Sequence, residues 1–285
     1  MIRLVAIGVA ILSMASPFRL SAQNVQQSPP PNVAARDVFL EQVNQELIRR
    51  RDPKLSPELI ERERTARTQR ETAVRSNPDT FVPLIREALA VAKIQNALVS
   101  ATSEDRTEDG AEELRRFRAS EAVACQFLAL LPADRRDRIL KESLDAALDA
   151  WKPVAGAYHA ENAKWKAAGA RPEDKSPVAM AQRRSIVFAD RCRKLVGAAA
   201  AARSDVFIEQ VFSWIAKGDR TISLEDQGVG YLEQFPPRRE EFIRRLNDIP
   251  DMNKDLDRDC KLEIERAIRR LENSGKAPQT PNGKS

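Results

Sequence analysis

The sequence predicts an all-α protein without a β-sheet, arranged as an antiparallel helical bundle or as an irregular array of helix–turn–helix units. No segment shows the strict alternation of apolar and polar residues that is typical of a half-buried strand. Two long segments instead repeat apolar residues at alternating steps of three and four. Several prolines also follow a Ser or Asn that is suited to cap a helix.

The N-terminal segment 1–22 has the pattern of a secretory signal peptide. Arg3 is followed by the largely apolar stretch Leu4–Ala15, and the small residue Ala22 precedes a polar segment. The apolar stretch is shorter than the roughly 20 residues that a membrane-spanning helix needs. We therefore expect an exported protein, either periplasmic or extracellular. Two fates of the leader fit this pattern: cleavage before Gln23, or retention as an N-terminal anchor.

The rest of the chain divides by composition. Residues 23–35 are polar and rich in proline, which is typical of a disordered tether. Residues 36–275 are expected to be helical, either as one unit or as two subdomains that cover residues 36–168 and 177–275. Residues 276–285 are expected to form a disordered tail.

Capping residues predict where several helices begin and end. Ser56, Asn77 and Ser176 each precede a proline. Proline suits the first position of a helix, because the N–H that it lacks would have no partner inside the helix. Gly218 and Gly275 stand at positions suited to helix C-caps.

Two apolar stripes predict a helical hairpin. The polar segment Ala167–Pro177 between them is short enough to return the chain antiparallel. We expect Trp151 and Phe188 to be buried in the seam, and Pro153 predicts a kink or a break in the first helix. The first stripe is Leu140, Leu144, Ala147, Trp151, Val154, Tyr158 and Trp165, and the second is Val178, Ala181, Ser185, Phe188, Cys192, Leu195, Ala199 and Ala202.

A seven-residue motif occurs twice and predicts a repeated helix–turn–helix unit. DVFLEQV at 37–43 returns as DVFIEQV at 205–211, and a D-x-x-[LI]-S-x-E turn follows each copy, from Asp52 or Asp219. The alternative is a coincidence of helix caps and stripes. If the copies are equivalent, the two units should superpose and four apolar residues should be buried: Phe39, Val43, Phe207 and Val211. The helix after the first turn is charged on nearly every side and is expected to project from the body or to dock on a partner.

A second internal likeness relates residues 127–139 to residues 231–243. The sequences FLALLPADRRDRI and YLEQFPPRREEFI share an aromatic residue, a Leu, a Pro, an Arg and an Ile at equal spacing. This likeness indicates that helix–turn–helix units recur along the chain. Their spacing is too irregular for a standard repeat family.

An acidic segment near the C-terminus partly resembles an EF-hand calcium loop. Asp255, Asp257 and Asp259 have the spacing of the first ligands of such a loop, but Cys260 replaces the required Gly and Arg266 replaces the bidentate Glu. The alternative is a helix through this segment, on which alternate carboxylates point in different directions. The stripe of apolar residues Leu256, Cys260, Ile264, Ala267 and Leu271 supports the helix. No metal ligand is therefore assigned.

The sequence contains few residues suited to catalysis, and it assigns no catalytic or cofactor-binding residue. His159 is the only histidine, and the chain has no nucleotide-binding glycine motif and no C-x-x-C pair. Acid–base chemistry by carboxylates alone is compatible with the many acidic residues, without pointing to a particular pair. Cys125, Cys192 and Cys260 lie on apolar stripes and are compatible with three packed thiols or with one disulfide and one free thiol.

The charge pattern argues against nucleic-acid binding. Two of the 47 basic residues lie in 1–22, which leaves 45 basic against 42 acidic residues, and the two signs alternate closely along the chain. We expect an exported, non-enzymatic helical protein that binds other proteins or acts as an envelope scaffold, with no cofactor and no membrane span once the leader is removed. The alternatives are a divalent-ion-responsive helical protein with degenerate EF-hand-like loops and a carboxylate-only helical enzyme.

Overall fold

The computed structural model describes residues 31–51, 56–90, 92–93, 108–169, 177–219 and 224–274. Within these ranges the chain forms ten α-helices and no β-strand, which confirms the predicted all-α fold. The helices are α1 (Pro31–Arg51), α2 (Pro57–Ser76), α3 (Pro78–Ala88), α4 (Glu108–Leu128), α5 (Ala133–Ala168), α6 (Pro177–Ala201), α7 (Ile208–Ala216), α8 (Val229–Leu232), α9 (Arg239–Met252) and α10 (Arg258–Asn273). A π-helical turn spans Leu224–Gly228 and a 3-10 turn spans Pro236–Arg238. The predicted leader 1–22, Gly275 and the predicted tail 276–285 lie outside the described residues.

Three helices begin at the prolines that the sequence predicted. α2, α3 and α6 start at Pro57, Pro78 and Pro177. α1 also starts at a proline, Pro31, so residues 31–35 of the predicted tether are helical instead. Ala35 is 4% exposed and belongs to the core, so its burial adds to the high helix propensity of alanine.

Helices α5 and α6 form the predicted antiparallel hairpin. The Trp151 ring stacks on the Phe188 ring with centroids 4.9 Å apart. Nearer the start of α5, the Asp137 carboxylate accepts a 2.6 Å hydrogen bond from the Ser204 hydroxyl, just beyond the end of α6, so the two helices run in opposite directions. Phe188 is buried as predicted, whereas Trp151 is only partly buried. α5 continues through Pro153 without the predicted break, and the nearby ring stack holds this part of the helix against α6.

The likeness between residues 127–139 and 231–243 corresponds to one recurring backbone corner. α4 ends at Leu128 and α8 ends at Leu232, and a proline follows each turn. The N–H groups of Ala129, Leu130 and Leu131 bond to the carbonyls of Cys125, Phe127 and Leu128, and those of Glu233, Gln234 and Phe235 bond to the carbonyls of Val229, Tyr231 and Leu232. These two sets of three bonds occupy equivalent positions, so the recurrence predicted from the sequence is present in the backbone.

The two copies of the seven-residue motif share burial but not helical context. Phe39, Val43, Phe207 and Val211 are all buried, as predicted. The first copy lies inside α1, whereas α7 begins only at Ile208 within the second copy. The long helix α2 follows the first copy, while a π-helical turn and the short helix α8 follow the second. The predicted superposition is therefore not observed. Most of the two predicted turns, residues 52–55 and 220–223, lies outside the described residues.

Helix α2 rests on the body through its C-terminal half. Val74 is fully buried there, and the buried Arg70 guanidinium pairs with Glu63 at 2.6 Å and with Glu41 of α1 at 3.6 Å. Ile60, near the start of the helix, is 54% exposed. The charged helix therefore packs against α1 and α3 at one end and exposes its other end.

One continuous cluster of buried side chains holds the helices together. Every α-helix in the described part of the chain contributes at least one residue to it. The cluster includes residues from both of the ranges that were considered as subdomains, 36–168 and 177–275. The two ranges therefore share one core, and α4 lies within it, in contact with α1, α3 and α6.

Candidate functional site

Helices α1, α3 and α4 enclose a cleft of about 340 Å³ that is open to solvent. Its apolar surface is formed by Phe39, Leu40, Leu84, Ala88, Leu114 and Phe117. Its polar surface is formed by five charged residues and by Ser120, which is half-buried. We refer to this feature as the α1–α3–α4 cleft.

The floor of the cleft is anchored in the core by aromatic contacts. Phe39 is 6% exposed, and its ring meets the buried Phe127 ring edge to face, with centroids 5.8 Å apart at 77°. Phe81 packs on the same ring at 5.6 Å and 88°. Edge-to-face pairs favour a defined relative orientation of the rings, so these contacts pre-form the floor.

The rim of the cleft carries charges of both signs. Arg36, Glu87, Lys93, Glu113 and Arg116 are all exposed. Arg116 lies 3.3 Å from Glu112, but the other four form no ion pair within the described ranges. Elsewhere on the surface, opposite charges on one helix commonly pair, as in the 2.9 Å contact of Arg67 with Glu71. The rim therefore presents unpaired charges around an apolar floor.

A buried ion cluster supports the wall of the cleft that Phe117 forms. Glu121 of α4 and Arg191 of α6 are each 1% exposed. The Glu121 carboxylate accepts a 2.6 Å hydrogen bond from Arg191 Nε and a 3.1 Å bond from Lys194 Nζ. The Arg191 guanidinium carbon lies 5.9 Å from the centroid of the Phe117 ring. Loss of either buried partner would leave an uncompensated charge, so the cluster fixes α4 against α6.

A second groove, of about 310 Å³ between α7 and α9, differs because two of its three charged residues pair with each other. Arg245 donates two hydrogen bonds of 2.8 Å to the Glu209 carboxylate. The same guanidinium lies 3.7 Å from the centroid of the Phe212 ring. The hydrogen bond from Arg245 lowers the pKa of Glu209 below its usual range. Glu209 and Arg245 are thus already engaged, unlike four of the five charged residues at the rim of the α1–α3–α4 cleft.

The EF-hand-like segment forms the start of a helix. The Asp257 carboxylate accepts a 2.7 Å hydrogen bond from the backbone N–H of Cys260 and caps α10. Asp255 lies in the turn before the helix, and Asp259 lies in its first turn. From Arg258 onward the helical alternative is correct. Nowhere in the described ranges do three His, Cys, Asp or Glu side chains converge as a metal site would require.

Three carboxylates have pKa values below their usual range. Hydrogen bonds from Arg245, Arg238 and Lys254 lower the pKa values of Glu209, Glu241 and Asp251 respectively. A carboxylic general acid needs a raised pKa instead.

The three cysteines are free, buried thiols, which agrees with the packed-thiol alternative. Burial raises the pKa of the Cys125 thiol to about 12, and burial also raises the pKa of Cys192. His159 lies in α5, and its side chain is not among those that the structure describes.

Comparison of the chain with protein families, with curated proteins and with solved structures finds no match. Among the described helices, none is both long and apolar enough to cross a membrane. Phe39 is buried as the sequence predicts, but no motif of the sequence predicts the cleft. The one sequence feature that points to the cleft is Leu40, an apolar residue beside Phe39. Leu40 lies on the outward side of α1 and is 48% exposed.

Proposed function

We propose that this protein is an exported, non-enzymatic helical scaffold that binds an amphipathic helix of a partner protein in the α1–α3–α4 cleft. The observation that carries the proposal is the combination of an apolar floor with an exposed rim on which four of the five charged residues form no ion pair within the described ranges. An amphipathic helix has the matching arrangement, since its apolar stripe is flanked by charged residues.

The distribution of polar groups favours a helix over a small molecule. All five charged side chains of the cleft are exposed at its rim. Small-molecule sites instead place a few polar groups deep in the pocket, where they orient the ligand. An apolar centre with a polar rim is the usual anatomy of a protein–protein interface. Since two unpaired rim charges are acidic and two are basic, we expect the partner helix to carry both signs beside its apolar stripe.

The export part of the proposal is supported by the leader pattern in residues 1–22. N-terminal sequencing of the protein recovered from the cells that produce it should begin near Gln23. Recovery of the intact chain from Met1 onward in the cytosol would contradict export.

The proposed binding of an amphipathic helix is tested by selecting displayed helical peptides that bind the full chain. The selected peptides are expected to share an apolar stripe at helical spacing with charges of both signs beside it. Binding of a labelled winning peptide is then measured by fluorescence anisotropy.

Two matched variants locate the binding. Ser120→Trp fills the cleft and is expected to weaken binding by at least about tenfold. Thr72→Trp adds the same ring on the exposed surface of α2 and should leave binding unchanged. Circular dichroism confirms that both variants are folded. Failure to select any helix, or peptide binding that Ser120→Trp leaves intact, would contradict the proposal.

A further inference from the structure

The buried side chain of Arg191 has more hydrogen-bond donors than the protein around it satisfies. Arg191 is 1% exposed, and within the described ranges only its Nε has an acceptor, the Glu121 carboxylate at 2.6 Å. Its Nη1 and Nη2 atoms are both buried and have no hydrogen-bond partner there. A guanidinium keeps its charge and all of its N–H groups in a protein interior. Because a buried charged donor without an acceptor is unfavourable, the Nη side of Arg191 is suited to an anionic ligand.

The carboxylate that Arg191 contacts is shared with a second cation. Lys194 Nζ lies 3.1 Å from the other oxygen of Glu121. Lys194 has a further carboxylate at 2.7 Å, that of Asp190, whereas Arg191 pairs with no second carboxylate in the part of the chain that the structure describes. Glu121 therefore compensates two cations, and Arg191 is the one whose remaining donors have no acceptor.

Phe117 connects this guanidinium to the α1–α3–α4 cleft. The guanidinium carbon of Arg191 lies 5.9 Å from the centroid of the Phe117 ring, and the same ring lines the cleft. Phe117 is only half-buried, and the cleft beside it is open to solvent. Rotation of the Phe117 side chain to another staggered conformer, into the cleft, opens a path toward the guanidinium. The cleft is therefore the route by which a ligand reaches Nη1 and Nη2.

We propose that Arg191 binds a carboxylate that enters through the cleft past Phe117, and that the partner helix supplies it as a Glu or Asp within its apolar stripe. A guanidinium can donate two parallel hydrogen bonds to the two oxygens of a carboxylate, which matches the free Nη1 and Nη2. The helix as the source of the carboxylate rests on the helix binding proposed above, whereas the site itself consists of Arg191 and Phe117.

Such a site would make the cleft selective among helices. The rim does not oppose an incoming carboxylate, since three of its five charged residues are basic. A helix without an acid in its apolar stripe leaves the Nη groups of Arg191 unpaired, and a buried donor left without an acceptor disfavours that partner.

Sodium formate, a very small carboxylate, tests the site without a partner helix. Formate should raise the melting temperature of the native chain by at least about 1 °C above its value in sodium chloride of equal concentration. Arg191→Lys keeps a cation beside Glu121 but removes both Nη groups, so this difference between the two salts should disappear. Arg70→Lys is the matched control and should keep the difference, because Arg70 is also buried but pairs with two carboxylates, Glu63 and Glu41. A native chain that formate does not stabilise, or an equal shift in all three proteins, would overturn the proposal.

Phe117→Ala tests the route to the site and does not depend on the folding of Arg191→Lys. Removal of the ring opens the guanidinium to the cleft, so the formate concentration at half-maximal stabilisation should fall by at least about tenfold. Phe235→Ala is the matched control, because Phe235 is also a half-buried aromatic residue but does not line the cleft. Circular dichroism confirms that both variants are folded. An unchanged midpoint in Phe117→Ala, or an equal fall in both variants, would overturn the proposal.

The helical peptides selected against the cleft test the source of the carboxylate. They should carry a Glu or Asp within the apolar stripe, and its replacement by Gln or Asn should weaken binding to the native chain by at least about tenfold. The same replacement should change binding to Arg191→Lys much less. Peptides that bind without such an acid, or an equal loss with both proteins, would overturn the partner helix as the source and leave helix binding in the cleft intact. If no helix binds at all, the proposed function fails, and the formate measurements still decide whether Arg191 is a carboxylate site.

Discussion

Replacing Tyr231 by Phe removes one oxygen atom from the junction where the chain passes from α6 to α7. The Tyr231 hydroxyl donates a 2.7 Å hydrogen bond to the carbonyl of Ser204 and accepts a 3.1 Å bond from the backbone N–H of Phe207. These three residues are between 1% and 3% exposed. In Tyr231→Phe, a buried carbonyl and a buried N–H therefore lose their partner while the ring still fills its space.

The expected loss follows from these two groups. A buried polar group without a partner costs about 1–3 kcal/mol. Neighbouring contributions are not fully additive, so Tyr231→Phe should lower the free energy of unfolding by about 2–4 kcal/mol. Urea titration followed by circular dichroism measures it. Thr72→Val is the matched control, since it removes a hydroxyl that bonds to the Thr68 carbonyl on an exposed helix face, and it should change stability by less than about 0.5 kcal/mol. Equal small losses in the two variants would refute the structural role assigned to Tyr231.

The difference in unfolding free energy between the native protein and Tyr231→Phe should also depend on pH, which provides an independent check. Burial raises the pKa of the Tyr231 hydroxyl, because the phenolate would be poorly solvated. The folded state therefore holds this proton more tightly than the unfolded state, whose tyrosine pKa is about 10. The resulting stability is present below that pH and is lost as the pH rises above it. The difference in unfolding free energy between the native protein and Tyr231→Phe should consequently shrink above about pH 10.

Three further outcomes are expected. Trp151→Asp replaces a ring stacked on Phe188 by a charge and should lower the unfolding free energy by about 2–4 kcal/mol; an unchanged thermal melt would show that the stack contributes nothing. Arg203 has φ of 51°, so Arg203→Gly should raise stability by about 0.5–1 kcal/mol in urea titration, and a lower stability would contradict this. Burial raises the pKa of Cys125 to about 12, so at about pH 8 a thiol-reactive disulfide should label the native protein far more slowly than the unfolded chain; equal labelling rates would refute the burial of the thiols.

The features that the sequence predicted correctly depend on local interactions. A proline suited to the first helical position marks a helix start, and α2, α3 and α6 begin accordingly, although the Asn77 side chain makes no capping hydrogen bond to α3. The corners near Leu128 and Leu232 share backbone hydrogen bonds that join residues only three or four positions apart. The burial of Phe188, Cys192, Leu195 and Ala199 follows from helical periodicity alone.

The features that the sequence did not predict depend on packing between distant segments. The second copy of the seven-residue motif lies at a helix start, because Tyr231 bonds to Phe207 from 24 positions along the chain. Ala35 is helical because the core covers it, and composition alone placed it in the tether. The α1–α3–α4 cleft is the space left where three helices fail to fill the volume between them, so no single motif encodes it.

Photo-crosslinking in the producing cell tests the binding of a partner helix in the cleft most directly. A benzophenone side chain at Leu84 lies in the cleft, and the same side chain at Leu262, an exposed residue of α10, is the control. The proposal predicts a product from the Leu84 probe whose partner segment, identified by mass spectrometry, is an amphipathic helix, and this product should disappear when Ser120→Trp is added. Equal labelling from both positions, or a Leu84 product that persists in the presence of Ser120→Trp, would contradict it.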